Sequence, residues 1–254
     1  VGVSPLEALI LLTAGILGGV VGVVVSLASL VTYPTLLLAG LPPVAANVTS
    51  TVAQTFVGLG AALGARQELA GQRPLLLRLA LLSALGGALG AALLLLLPGR
   101  SFELVAPILV AGASMAILVQ PRLALRRQFQ PQGIRVWTAA AYVAVSVYIG
   151  YFGAGGGIIA LVILAAIIDR PLGHVNMAKS ALAGLANGAA SIGFVFFGPV
   201  RWAFVVPLAA GLFIGGFIGP WLVRRLPVRL LRGLIAVSGV GVAGLLAWRA
   251  YSWG

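Results

Sequence analysis

The sequence predicts an all-α polytopic membrane protein built as two inverted-topology repeats, and three observations predict it. Only 8% of its 254 residues are charged and 61% are hydrophobic, against about 25% charged in a soluble domain. The apolar runs are too long and too numerous for one buried core. The second half also repeats the first at a constant offset of 129 positions.

The elements follow in order from the hydropathy. Apolar segments cover about 8–41, 43–65, 75–97, 104–120, 136–168, 175–198, 203–223 and 229–249, divided by polar or proline-containing stretches. The start, Val1-Gly2-Val3-Ser4-Pro5, has no basic region and reads as the approach to a first span, not a signal peptide. Six segments have the length of a single span, about 20 residues. The first and fifth are each roughly 33 residues, or about 50 Å as one straight helix, against a hydrocarbon core of about 30 Å. Gly18, Gly19 and Gly22 lie inside the first, and Gly150, Gly153, Gly155, Gly156 and Gly157 inside the fifth. Each such glycine weakens a helix by about 0.8–1 kcal/mol relative to Ala. Both long segments are therefore expected to break into a helix and a second short helix or re-entrant hairpin. That brings the total to about 8–10 membrane elements.

The charges test that expectation. The net charge of +12 comes from arginines clustered between apolar runs, the pattern of cytoplasmic loops and not of a nucleic-acid surface. If both long segments return to their starting side, one face collects Arg66, Arg73, Arg78, Arg122, Arg126, Arg127, Arg135, Arg170, Arg224, Arg225, Arg229 and Arg232. Only Arg100, Arg201 and Arg249 stand opposite. This asymmetry obeys the positive-inside rule, with both termini outside and the 121–135 linker in the cytoplasm. Eight simple spans would leave a far weaker asymmetry.

The repeat pairs Pro42 with Pro171 and Asn47 with Asn176. In the same register, Leu85-Gly86-Gly87-Ala88-Leu89-Gly90 matches Ile214-Gly215-Gly216-Phe217-Ile218-Gly219. The first repeat is taken as residues 1–125 and the second as 126–254. An odd number of elements per half inverts one repeat relative to the other, an arrangement common in secondary transporters.

Chemistry-bearing residues are scarce. Glu7, Glu68, Glu103 and Asp169 fall at segment ends or in loops, so no acid/base pair or carboxylate relay can be drawn in mid-membrane. There is no cysteine, and His174 has no partners for a metal site. No enzymatic activity, cofactor or metal is expected. Two matched polar clusters remain: Asn47, Thr49, Ser50, Thr51 and Gln54, and then Asn176, Lys179 and Ser180. Each follows a proline suited to the first turn of a helix, where free N–H groups and the dipole favour an anion. Lys179 is the only lysine and would add a full positive charge; alternatively it snorkels to the cytoplasmic interface. Gly155, Gly156 and Gly157 are expected to line a cavity as unwound backbone. Trp137, Trp202, Trp221 and Trp248 read as interfacial anchors.

These motifs together resemble the sulfite exporter TauE/SafE family, within the toluene sulfonate uptake permease superfamily. The resemblance rests on Gly18 to Gly22, on Tyr33 to Pro43, on the Thr/Ser cluster at 49–51, and on Gly150 to Gly157 with Asn176 to Ser180. Val23-Val24-Val25 departs from the glycine run expected in the first half. The resemblance implies transport of a sulfur-containing oxyanion: sulfite, thiosulfate or an organosulfonate. The expected setting is the cell (inner) membrane, with a homodimer as one arrangement and no nucleic-acid partner. The membrane potential is worth about 2.3 kcal/mol per charge per 100 mV and drives anions outward, so export needs no coupling ion. A small-anion channel or uniporter is the rival reading, and a non-transporting membrane scaffold a weaker one.

Overall fold

A computed structural model describes residues 3–66, 73–125, 134–222 and 228–251. Among them the chain forms ten helices and no strand: α1 (Pro5–Val25), α2 (Ser29–Leu38), α3 (Pro43–Gly64), α4 (Arg73–Leu96), α5 (Gly99–Leu125), α6 (Val136–Tyr151), α7 (Gly156–Ile167), α8 (Leu172–Phe197), α9 (Trp202–Leu222) and α10 (Val228–Tyr251). The fold is all-α, as expected. Four helices among the described residues are long and apolar enough to cross a membrane: α1, α4 from Pro74, α8 and α9. Arg126 and Arg127 beside the repeat boundary, Glu68, and the Arg224–Arg225 pair lie outside the described residues.

Polarity is distributed for a bilayer. Leu77, Leu81, Leu85, Leu89 and Leu93 of α4 stand exposed at a four-residue spacing, which puts them on one stripe of the helix. In water such a stripe would be an aggregation surface; against lipid it is an ordinary one. Thr32, Asn47, Thr49, Ser50, Thr51 and Lys179 are buried inside instead.

Both long segments break, as their length demands. Ser4 and Glu7 form a capping box at the start of α1, with Ser4 N–H donating to Glu7 Oε2 at 2.8 Å. The helix ends at Ser26, in the left-handed region at φ 67°, whose N–H bonds the Gly22 carbonyl at 3.0 Å. Three residues later α2 begins. The corresponding break in the second half separates α6 from α7 through Phe152 to Gly155, with Gly153 and Gly155 at φ 81° and 78°. Here the glycines supply the turn directly.

The first break differs from the expectation in its position. Gly18, Gly19 and Gly22 stay helical, and the chain turns after them. Their missing side chains serve packing: a Cβ on Gly19 would sit 2.6 Å from the Leu212 carbonyl oxygen of α9.

The two halves interlock instead of folding side by side. α1 packs on α9 as α6 packs on α4, and α3 packs on α9 as α8 packs on α4. α3 meets α8, and α5 meets α10. Each major pair is thus matched by its counterpart when the halves are exchanged. The sequence repeat carries this symmetry at single residues. Gly216 packs on Val57, and Gly87, 129 positions earlier, packs on Ala186, itself 129 positions after Val57. A Cβ on Gly216 would stand 2.6 Å from the Val57 carbonyl oxygen, so both contacts require the bare backbone.

Candidate functional site

The two breaks meet inside the bundle. Gly157, in the first turn of α7, packs so tightly on the end of α1 that a Cβ there would lie 2.7 Å from Ser26 Cβ. Beside this crossing is a cavity of about 50 Å³. One water needs about 10–15 Å³ on this scale, so the space suits a few waters or one small anion. Its polar wall is made by Ser26, Ser29, Gln54, Lys179, Ser180 and Asn187. Backbone at Gly22, Gly58, Gly153 and Gly184 closes much of the rest.

Two short helices aim their starts at this space. Ser29 opens α2 and Gly157 lies in the first turn of α7, and both line the cavity. The N–H groups of Leu30 and Val31, and of Gly156 and Ile158, already bond carbonyls one turn back. What these ends bring is chiefly the positive end of each helix dipole, about half a charge. Two such ends on one cavity make a setting for an anion.

Lys179 completes the electrostatics. It sits in the second turn of α8, and its side chain is only 2% exposed. It points inward, not to an interface. Its Nζ donates to Ser26 Oγ and to Asn176 Oδ1, the latter at 3.1 Å. Asn176 is itself fixed, with Nδ2 donating to the Val23 carbonyl at 2.8 Å. An ammonium has three donors, so these two bonds orient the group and leave one N–H for a ligand. The carbonyl end of α1 also attracts a cation to this spot.

The first polar cluster is used differently. Asn47 Nδ2 donates to the Tyr151 carbonyl at 2.9 Å, and Thr51 Oγ1 to the Asn47 carbonyl at 2.9 Å. Thr49 Oγ1 accepts from the Arg201 backbone N–H at 3.1 Å, tying α3 to the start of α9. Ser50 shares a 2.6 Å bond with Thr32 and accepts from Gln54 Nε2 at 2.9 Å. Only Gln54 of this cluster reaches the cavity. In the second half Lys179, Ser180 and Gly157 line it, whereas Gly155 packs on Ala113 of α5 and Gly156 beneath the Tyr148 ring. Among the described residues no group of three His, Cys, Asp or Glu side chains is arranged to hold a metal.

Comparison with known proteins agrees with this architecture. The family model described as sulfite exporter TauE/SafE matches residues 8–246. The chain belongs to the TauE/SafE family. A probable membrane transporter protein, ORF9, from Sinorhizobium sp is 25% identical over 241 residues, covering 92% of this chain and 89% of that protein. A probable membrane transporter protein from Xylella fastidiosa (strain Temecula1 / ATCC 700964) is 25% identical over 179 residues, covering 68% of each chain. No solved structure matches significantly. The TauE/SafE chain is therefore a membrane transporter.

Three polar residues that line the cavity of this TauE/SafE member escaped the reading of its sequence: Ser26, Ser29 and Asn187. The first two formed a polar pair inside an otherwise apolar run, a signal that was available. Asn187 stood isolated in mid-helix, and isolated asparagines in membrane helices often serve only to join neighbours.

Proposed function

We propose that this TauE/SafE member is a secondary transporter of a sulfur-containing oxyanion, and that it exports the anion by alternating access under the membrane potential. The observation that carries the reading is the buried Lys179 side chain at a cavity bounded by the starts of α2 and α7. The Gln54 and Asn187 amides add donors to the same space without adding negative charge, while the Ser180 hydroxyl donates to the Asn176 carbonyl at 3.0 Å. A pyramidal or tetrahedral oxyanion such as sulfite or thiosulfate matches that donor set, and an organosulfonate presents the same head. The chain performs no bond-making chemistry on it.

The exchange symmetry of the packing supports two inverted repeats, because matched interfaces let one repeat rock against the other about a fixed site. Both termini then lie outside the inner membrane and the arginine-rich loops inside. A negative interior lowers the energy of an exported monovalent anion by about 2.3 kcal/mol per 100 mV, so no coupling ion is needed.

The test is flux of sulfite and thiosulfate in proteoliposomes under a clamped potential. Saturable flux with counterflow supports a transporter. Flux without counterflow points to a channel, and no flux from folded protein removes the substrate class.

A further inference from the structure

Ser26 is the one non-glycine residue at positive φ among the described residues. A side chain in the left-handed region crowds its own backbone, and glycine is the residue that avoids the cost. The repeat supplies an internal control. The position 129 residues later is Gly155, also left-handed at φ 78° and also at the break of its half. Both positions thus take a left-handed backbone, Ser26 at the end of α1 and Gly155 at the start of α7. One does so with glycine, and the other retains a hydroxyl despite the strain.

Strained non-glycine backbone persists where the side chain is needed, and the surroundings indicate the need. Ser26 is 9% exposed and lines the cavity. Its Oγ accepts from Lys179 Nζ. With Lys179 as the donor, the Ser26 O–H is left to donate in turn, and no hydrogen bond among the described residues uses it. A hydroxyl at the wall of a cavity whose oxygen accepts from a lysine is a ready donor to an anion.

We propose that Ser26 is a substrate-binding residue, its O–H donating to the bound oxyanion while its oxygen fixes Lys179. This rests on the reading of the cavity as an anion site. Ser26 and Lys179 then grip the anion as a pair contributed by the break of one half and the long helix of the other. Gly155 has no such role, because the equivalent partner of Lys179 in the first half is Ser50, which carries no charge.

The test uses the full chain in lipid nanodiscs with sodium sulfite as the probe. The sulfite concentration giving half of the rise in unfolding temperature measures affinity. Ser26→Ala and Ser26→Gly should each weaken binding about 10-fold, the loss of one bond to a charged group. Without sulfite, Ser26→Gly should unfold a few degrees above Ser26→Ala, because only glycine removes the strain. In a Lys179→Gln background, Ser26→Ala should weaken binding by roughly a further 10-fold. Unchanged affinity in Ser26→Gly, or no further loss in the double variant, overturns the direct role. If the wild type binds sulfite and the Ser26 variants equal it, only this proposal falls. If the wild type binds no sulfite, the reading of the cavity falls with it.

Discussion

Asn47 and Asn176, 129 residues apart, hold the broken helices of each other's half. Asn47 on α3 donates to the Tyr151 carbonyl at the end of α6, and Asn176 on α8 donates to the Val23 carbonyl near the end of α1. A helix broken inside a membrane strands carbonyls that water cannot reach, and each asparagine satisfies one of them. Because the partner lies in the other half, neither break is complete on its own half's terms.

Replacing either asparagine by Ala leaves a carbonyl without its donor. The expected loss is about 1–3 kcal/mol of stability in each case. Thermal unfolding of purified Asn47→Ala and Asn176→Ala checks it. Asn176→Ala should also weaken anion binding, since Asn176 Oδ1 holds Lys179, whereas Asn47→Ala should leave affinity near the wild-type value.

Lys179→Ala should raise the sulfite concentration for half-maximal flux by about 10–100-fold, the range for losing a charged donor. Proteoliposome flux at saturating and subsaturating sulfite reads this directly. An unchanged concentration dependence would leave Lys179 as a tie between α8 and α1 and nothing more.

Net flux should reverse where the potential balances the gradient. For a monovalent anion, a tenfold gradient should be balanced by about 60 mV, from about 2.3 kcal/mol per charge per 100 mV. A reversal potential that does not follow the anion gradient would require a coupled ion.

Glycine substitutions should separate contact from propensity. Gly87→Ala drives a methyl into the Ala186 backbone and should cost about 1–3 kcal/mol. Gly112 on α5 has no neighbour within 4 Å, so Gly112→Ala should stabilise the helix by about 0.5–1 kcal/mol. Unfolding temperatures of the two variants, measured side by side, decide it.

The chain has no cysteine, so single cysteines report topology without background. A cysteine at Ser4 should react with an impermeant maleimide in intact cells, and one at Ile134 only after permeabilisation. The opposite pattern would invert the orientation drawn from the arginines.

The sequence by itself determined the solvent, the repeat and the two breaks. Composition excludes water as the surroundings of most of the surface, and a run of roughly 33 apolar residues cannot cross a core of about 30 Å unbroken. Pro42, Pro171 and the Gly86-Gly87 and Gly215-Gly216 pairs register the halves because duplication preserves positions where backbones must touch. What only the tertiary structure decided was which polar residues face the cavity. Thr49, Thr51 and Asn47 bond to backbone, while Gln54, Lys179 and Ser180 line the space, and nothing in the sequence separates a hydroxyl such as that of Thr51 from that of Ser180. The first break likewise falls at Ser26 and not at the glycines before it, which stay helical: Gly19 admits the backbone of α9, and Gly22 packs on Ala28 and Val57. Local composition reports what a segment can do alone. Lys179 meets Ser26 across 153 positions through packing between halves, and no local pattern carries that information.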